Sequence, residues 1–287
     1  MKSLQLIQKV RTGIILITVL ILGLSASIAT AAEFKIGIMQ ALTGSAKQYE
    51  PLEAYLQKKN VHVKFVAFKN YKEAAQLFEK GDVDGMFSGS GVAGAFILKG
   101  IVKPLVRPID KQGRSTYWAV VIGHKGDKPF SGEANDFRNK KVIFSAIASS
   151  GEFFYRSIPG INNVGAQALI ADNHQAAIET LNKGGADFAI IKNTVWDSLK
   201  KKFPNLELIG QDGGQNPNNT LIISNKTSQE TTKEVLTALL SVEKDPAAAA
   251  VRESMGITGF QMTTTNDFAH TLSLLKRAGV TADYDLH

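Results

Sequence analysis

The 287-residue chain contains no cysteine. That absence excludes disulfides, thiolate metal sites and cysteine nucleophiles together, so packing alone must hold the fold. Histidine is scarce: five residues lie scattered without ligand spacing, and no metal is expected. There is no His-Glu-x-x-His, no phosphate-loop Lys-Ser/Thr pair and no Gly-x-Ser-x-Gly elbow, so nothing in the sequence asks for catalysis. Internal repeats and low-complexity linkers are also missing, which argues against a structural or adhesive role. The one long apolar run, Ile14 to Leu22, falls short of the ~20 residues a bilayer span needs.

What is present begins with that run. Lys2, Lys9 and Arg11 precede it, and Ala29-Thr30-Ala31-Ala32 ends it with small residues. Residues 1–32 therefore read as a secretory signal, and the rest of the chain is expected in the periplasm, or tethered to the membrane if the signal is uncleaved. Losing the three signal cations lowers the formal net charge from +7 to +4. The charges are otherwise dispersed. The longest basic run, Lys200-Lys201-Lys202, reads as a solvated helix end, and no nucleic-acid partner is expected.

Strand and helix patterns alternate along the remaining residues. Strands are expected at 34–39, 61–66, 84–87, 104–109, 118–122, 142–144, 168–170, 187–191 and 221–223. Helices are expected at 46–59, 71–80, 92–98, 153–157, 174–183 and 194–202. Beyond residue 223 only helices are evident: one opened by a Thr227-x-x-Glu230 capping box, one from Pro246 and one from Asn266 to Arg277. The alternation argues for an α/β protein with largely parallel sheets, built from two blocks near 33–115 and 118–215.

Two Gly-containing turns could meet a ligand. Gly89-x-Gly91-x-x-Gly94 follows a strand and opens a helix, as a dinucleotide fingerprint does, with Asp110 ending the next strand. It sits on the third strand rather than the first, and its plainer reading is a turn that lets a helix approach a ligand or packed backbone. Ser149-Ser150-Gly151 also lies between strand and helix. Unpaired amides there, two hydroxyls and a Gly could cradle an oxyanion, while Ser149-x-x-Glu152 equally fits a capping box. Tyr117 precedes an apolar strand and His174 opens a helix; each could face a cleft or be an ordinary core or capping residue. Asp84 and Asp187 read as turn residues.

The order of these pieces resembles the periplasmic phosphonate/phosphate/phosphite-binding proteins of ABC transporters. The resemblance runs from Phe34-Lys35-Ile36-Gly37-Ile38 through Gly81-Asp82-Val83-Asp84, Tyr117-Trp118-Ala119-Val120 and Ala148-Ser149-Ser150-Gly151. It continues through His174, Asp187 to Ile191, Asn193-Thr194, Thr227 to Val235 and Met255-Gly256. It implies a type 2 periplasmic-binding fold with two lobes, each a mainly parallel sheet flanked by helices. Lobe one would take residues 33–116 and 220–287, and lobe two 117–219. It also implies that Ser149, Ser150 and Gly151 bind an oxyanion, with Tyr117 and His174 as further contacts. Ser88 stands where the family has an aromatic residue. Val195 stands where the family's phosphonate binders have an acid that meets the ligand's amine.

The function expected is capture of a small oxyanion, such as phosphate, phosphite or a phosphonate, for delivery to a membrane permease. The protein is expected to be a monomer that uses no cofactor and is not an enzyme. Binding is expected to rest mainly on neutral donors, which can hold an anion without a buried counter-cation. Rival readings are a sensor feeding a membrane signalling protein, and a dinucleotide-dependent oxidoreductase using Gly89 to Gly94.

Overall fold

The computed structural model describes residues 33–39, 45–68, 71–145 and 148–285. The expected signal at 1–32 lies outside them. In chain order, the first elements are β1 (Phe34–Met39), α1 (Glu50–Lys58), β2 (Val63–Phe68), α2 (Tyr71–Lys80), β3 (Gly85–Ser88), α3 (Ser90–Leu98) and β4 (Val102–Asp110). Next come β5 (Thr116–Tyr117), β6 (Ala119–His124), β7 (Lys141–Ser145), α4 (Ser150–Arg156), β8 (Gln167–Ala171), α5 (His174–Asn182) and β9 (Phe188–Lys192). The chain continues with α6 (Asn193–Leu199), β10 (Leu206–Gln211), β11 (Asn216–Pro217) and β12 (Thr220–Ser224). It closes with α7 (Gln229–Ser241), α8 (Ala249–Met255), β13 (Ile257–Met262) and α9 (Ala269–Arg277).

The strands form two main sheets, ordered β13-β4-β12-β3-β1-β2 and β10-β6-β9-β7-β8, plus the small pair β11-β5. The fold is thus mixed α/β with two sheet-based lobes. The first sheet draws on residues 34–110 and 220–262, the second on 119–211. Neither sheet is mainly parallel, which corrects the expectation. Parallel pairing is confined to β2-β1-β3 in one and β8-β7-β9 in the other. β12 and β6, each the strand that follows a connector, lie beside them and run antiparallel, because they arrive through the paired connectors β11 and β5 rather than through a helical crossover.

Adjacent residues on the central strands point into different cores, so those strands read as unbroken apolar runs. Met86, Val121 and Ile222 join one core; Phe87, Leu221 and Ile223 a second; Val120 and Ile122 a third. The first core is shared by both sheets. Its middle is filled by Val92 and Phe96 of α3, Phe153 and Phe154 of α4, and Leu274 and Leu275 of α9. Helix α9 therefore bridges the halves, and the chain end follows it: Arg156 Nη2 donates to the Ala278 carbonyl at 3.2 Å and Arg156 Nη1 to the Tyr284 hydroxyl at 3.0 Å. Among the described residues no helix is long and apolar enough to cross a membrane.

The glycine-rich turn serves this packing. A Cβ on Gly91 would stand 2.2 Å from the Ala148 carbonyl oxygen, and one on Gly94 2.6 Å from Leu275 Cδ1. The spacing that resembles a dinucleotide fingerprint is thus taken up by backbone and α9. Gly91→Ala is expected to lower stability by about 1–3 kcal/mol, because the obstacle is backbone that cannot rotate away. A denaturant midpoint unchanged from the parent protein would disprove that reading.

Several local expectations need adjustment. β10 and β13 were not anticipated: both are edge strands, and their glycines and exposed polar residues resemble loop until a neighbour pairs with them. The cap of α7 is Ser228, which accepts from the Thr231 amide at 3.0 Å, one residue beyond the expected Thr227. Asp84 and Asp187 do more than turn the chain. Each accepts an amide near the start of the neighbouring parallel strand, that of Lys35, second in β1, at 2.8 Å and that of Lys141, first in β7, at 2.7 Å.

Candidate functional site

Ligands of open α/β sheets gather outside the carboxyl ends of parallel strands, where crossovers diverge. In the second sheet those ends are Ser145 on β7, Ala171 on β8 and Lys192 on β9. The openings of α4 and α5, the connector β5 and the start of α3 face the same region, and their polar side chains join one another.

Tyr117 is the hub. Its hydroxyl lies 2.6 Å from Ser90 Oγ and 2.7 Å from Ser150 Oγ, so α3 of the first sheet and α4 of the second share one phenol. All three residues are buried, and the hydroxyl protons can reorient among them. Over the Tyr117 ring sits the Lys192 ammonium, 4.2 Å from the centroid, which also donates to Asn218 Oδ1 at 3.1 Å. Asn218 follows the second connector, so Lys192 reaches from β9 across to both connecting strands.

His174 opens α5 behind the Asn173 cap, which accepts from the Ala176 amide at 2.9 Å. Its Nε2 lies 3.2 Å from Ser145 Oγ, and its Nδ1 is buried without a hydrogen-bond partner. Burial, and after it the nearby Lys192 charge, push the imidazole down to about 3, so it is neutral near pH 7. Burial likewise pushes the Lys192 ammonium down to about 8. Part of its surface remains open to water, yet none of the ion pairs among the described residues includes it.

The six residues expected from the sequence fare differently. Tyr117 and Ser150 are bonded directly, and His174 joins them through the shared neighbour Lys192. Ser149 is spent on capping: its Oγ accepts from the Glu152 amide at 3.2 Å. Glu152 does not complete the box at Ser149; its carboxylate accepts from the Ala148 amide at 2.8 Å and pairs with Arg156 at 3.1 Å. That placement turns its negative charge toward Arg156. Gly151 answers a packing need, since a Cβ there would stand 2.9 Å from the Ile190 carbonyl oxygen. Ser88 is fully buried, and its hydroxyl turns back to the Gly89 carbonyl at 3.1 Å.

Sequence reasoning missed Ser90 and Lys192, a hydroxyl and a cation that lie beside Tyr117. The signal for Lys192 was a charge closing the buried run Phe188-Ala189-Ile190-Ile191, at the carboxyl end of a parallel strand. Nothing local marked Ser90 apart from its place at a helix start.

Two sheet lobes joined by paired connectors are the fold of the type 2 periplasmic-binding class, and here buried hydroxyls, an imidazole and an ammonium gather beside those connectors. Residues 40–268 match the family described as ABC transporter, phosphonate, periplasmic substrate-binding protein, and the chain belongs to that family. Solved structures agree on the fold. PhnD1 from Prochlorococcus marinus, in complex with methylphosphonate, is 18% identical with a TM-score of 0.69, over 86% of this chain and 98% of that one. A binding protein component of an ABC phosphonate transporter from Pseudomonas aeruginosa is 16% identical with a TM-score of 0.65, over 86% and 85%. A Xanthomonas citri protein bound to ATP is 14% identical with a TM-score of 0.73, over 87% and 98%. No curated protein matches the chain.

Proposed function

We propose that this protein is the binding component of an ABC importer, not an enzyme, and that it captures a small oxyanion between its lobes outside the cytoplasm. The observation that carries the ligand class is the hydroxyl cluster Ser90, Tyr117 and Ser150 with an ammonium beside it that, among the described residues, pairs with no carboxylate. Hydroxyl donors and a cation suit an anion; the shared chemistry of phosphate, phosphite and phosphonate is several oxygens holding one or two negative charges. Family membership supports the transport role.

In this reading residues 33–116 and 220–287 move as one lobe and 117–219 as the other, with the pairing of Thr116–Tyr117 and Asn216–Pro217 as the hinge. Closure brings Ser90 to Tyr117 and Ser150, and a membrane permease reads the closed form. Ser149, Gly151 and Ser88 shape the walls, and His174 offers a neutral imidazole nitrogen.

Ser150→Ala is expected to weaken binding of phosphate, phosphite or methylphosphonate by about 10–100-fold, the value of one hydrogen bond to a charged group. Stability should change little, because the remaining hydroxyls can still bond to each other. Isothermal calorimetry on parent and variant measures this. Equal affinity for the oxyanion that the parent binds best would move the site elsewhere.

A further inference from the structure

Lys192 is the group that the fold itself does not explain. The run before it is apolar and buried, and Asn193 after it is fixed, accepting the Trp118 amide on Oδ1 at 3.1 Å. A lysine so placed is ordinarily paired with a carboxylate or extends its stem until the ammonium is in water. Lys192 does neither. Its partners are dipoles, the Asn218 amide oxygen and the Tyr117 ring face, and neither neutralises it. Of the Asp and Glu residues near this end of the second sheet, Glu152 pairs with Arg156, Asp197 with Lys200, and Asp212 Oδ2 lies 2.7 Å from His270 Nε2, while Asp172, just past β8, is exposed; among the described residues none is paired with Lys192.

We propose that Lys192 is the counter-charge of the solute and sets its class: a small oxyanion that carries no ammonium of its own. This deepens the oxyanion reading above and rests on it. Once the anion is seated, its negative oxygens replace the water that the ammonium gave up, and the buried charge is paired only in the complex. A solute that joins an oxyanion to an amine through a short carbon chain brings a second positive charge within a few ångströms of the first. In a partly desolvated cleft that repulsion weakens binding by about a hundredfold or more.

Propylphosphonate and 2-aminoethylphosphonate test this, since they differ only by a terminal methyl against a terminal ammonium. Calorimetry at pH 7 on the parent protein should show the alkyl compound binding at least about a hundredfold more tightly. Lys192→Arg should keep that preference. Lys192→Met, with an unchanged circular dichroism spectrum, should lose affinity for the alkyl compound and bring the two within about threefold of each other, or lose both. Equal or tighter binding of the amine by the parent protein would overturn the role given to Lys192 while leaving the oxyanion cleft intact. If the parent takes neither phosphonate, phosphite is titrated into parent and Lys192→Met: weaker binding by the variant supports the proposal, and equal binding defeats it. Failure of the parent to bind phosphate, phosphite and both phosphonates would defeat the oxyanion reading itself, and this proposal with it.

Discussion

Lys192→Met is expected to make the unliganded protein more stable by about 1–3 kcal/mol while costing it most of its anion affinity. The gain arises because burial disfavours the charged form: the ammonium falls from its ordinary 10.5 to about 8. Folding must therefore either strip a charge of water or release a proton. Methionine keeps the unbranched stem against the Tyr117 ring and adds a sulfur that aromatic rings accept. The lost Asn218 hydrogen bond and ring contact offset part of the gain, so the expected figure lies below the on the order of 3 kcal/mol that the full shift represents.

The sign can be checked by pH. Between about 8 and 10.5 the unfolded chain holds a proton on this residue that the folded chain has lost, so the parent gains stability as pH rises through that window. The advantage of Lys192→Met should accordingly be full below about pH 8 and should shrink toward pH 10.5. Urea unfolding of both proteins at several pH values measures it. A variant less stable than the parent at neutral pH would mean that Lys192 is a structural residue satisfied by its dipolar partners.

The second large effect is acid sensitivity through His174. The folded protein holds this imidazole neutral down to about 3, against an ordinary value of 6.5. Across that interval the unfolded chain takes up a proton that the folded chain refuses, so stability falls as pH drops below 6.5. By pH 4.5 this group alone should remove about 2–3 kcal/mol. Burial is the main cause and the Lys192 charge the lesser, so Lys192→Met should relieve only part of it. His174→Gln lacks the titrating ring and should lose correspondingly less stability between pH 7 and pH 4.5. Parallel acid profiles for parent and variant would show that His174 takes up a proton without unfolding its surroundings.

These two residues separate what could be read early from what could not. His174 stood out as a histidine at a helix start, a position that local pattern identifies. Its neutrality did not, since that depends on desolvation by segments far away in the chain. Lys192 was hidden more fully. A lysine after four apolar residues usually marks where a strand reaches solvent, and only the approach of Tyr117 and Asn218 makes it otherwise. Ser149 and Gly151 were rightly placed at a strand-to-helix turn, yet the structure engages them in capping and in packing on Ile190. Gly91 and Gly94 show the same ambiguity: a small residue permits close approach, and the sequence does not say to what.

The order of amino acids by itself determined the α/β alternation, the position of most helices, the strand-to-helix turn holding Ser150 and the resemblance that led to the family. Those features follow from periods of two and 3.6 residues and from turn chemistry, all of which act over a few neighbours. Tertiary structure alone decided the mixed strand directions, the edge strands β10 and β13, and the meeting of Ser90, Tyr117, Ser150 and Lys192. Pairing, burial and the energy of a charge depend on which distant segments cover a residue, and no local pattern encodes that.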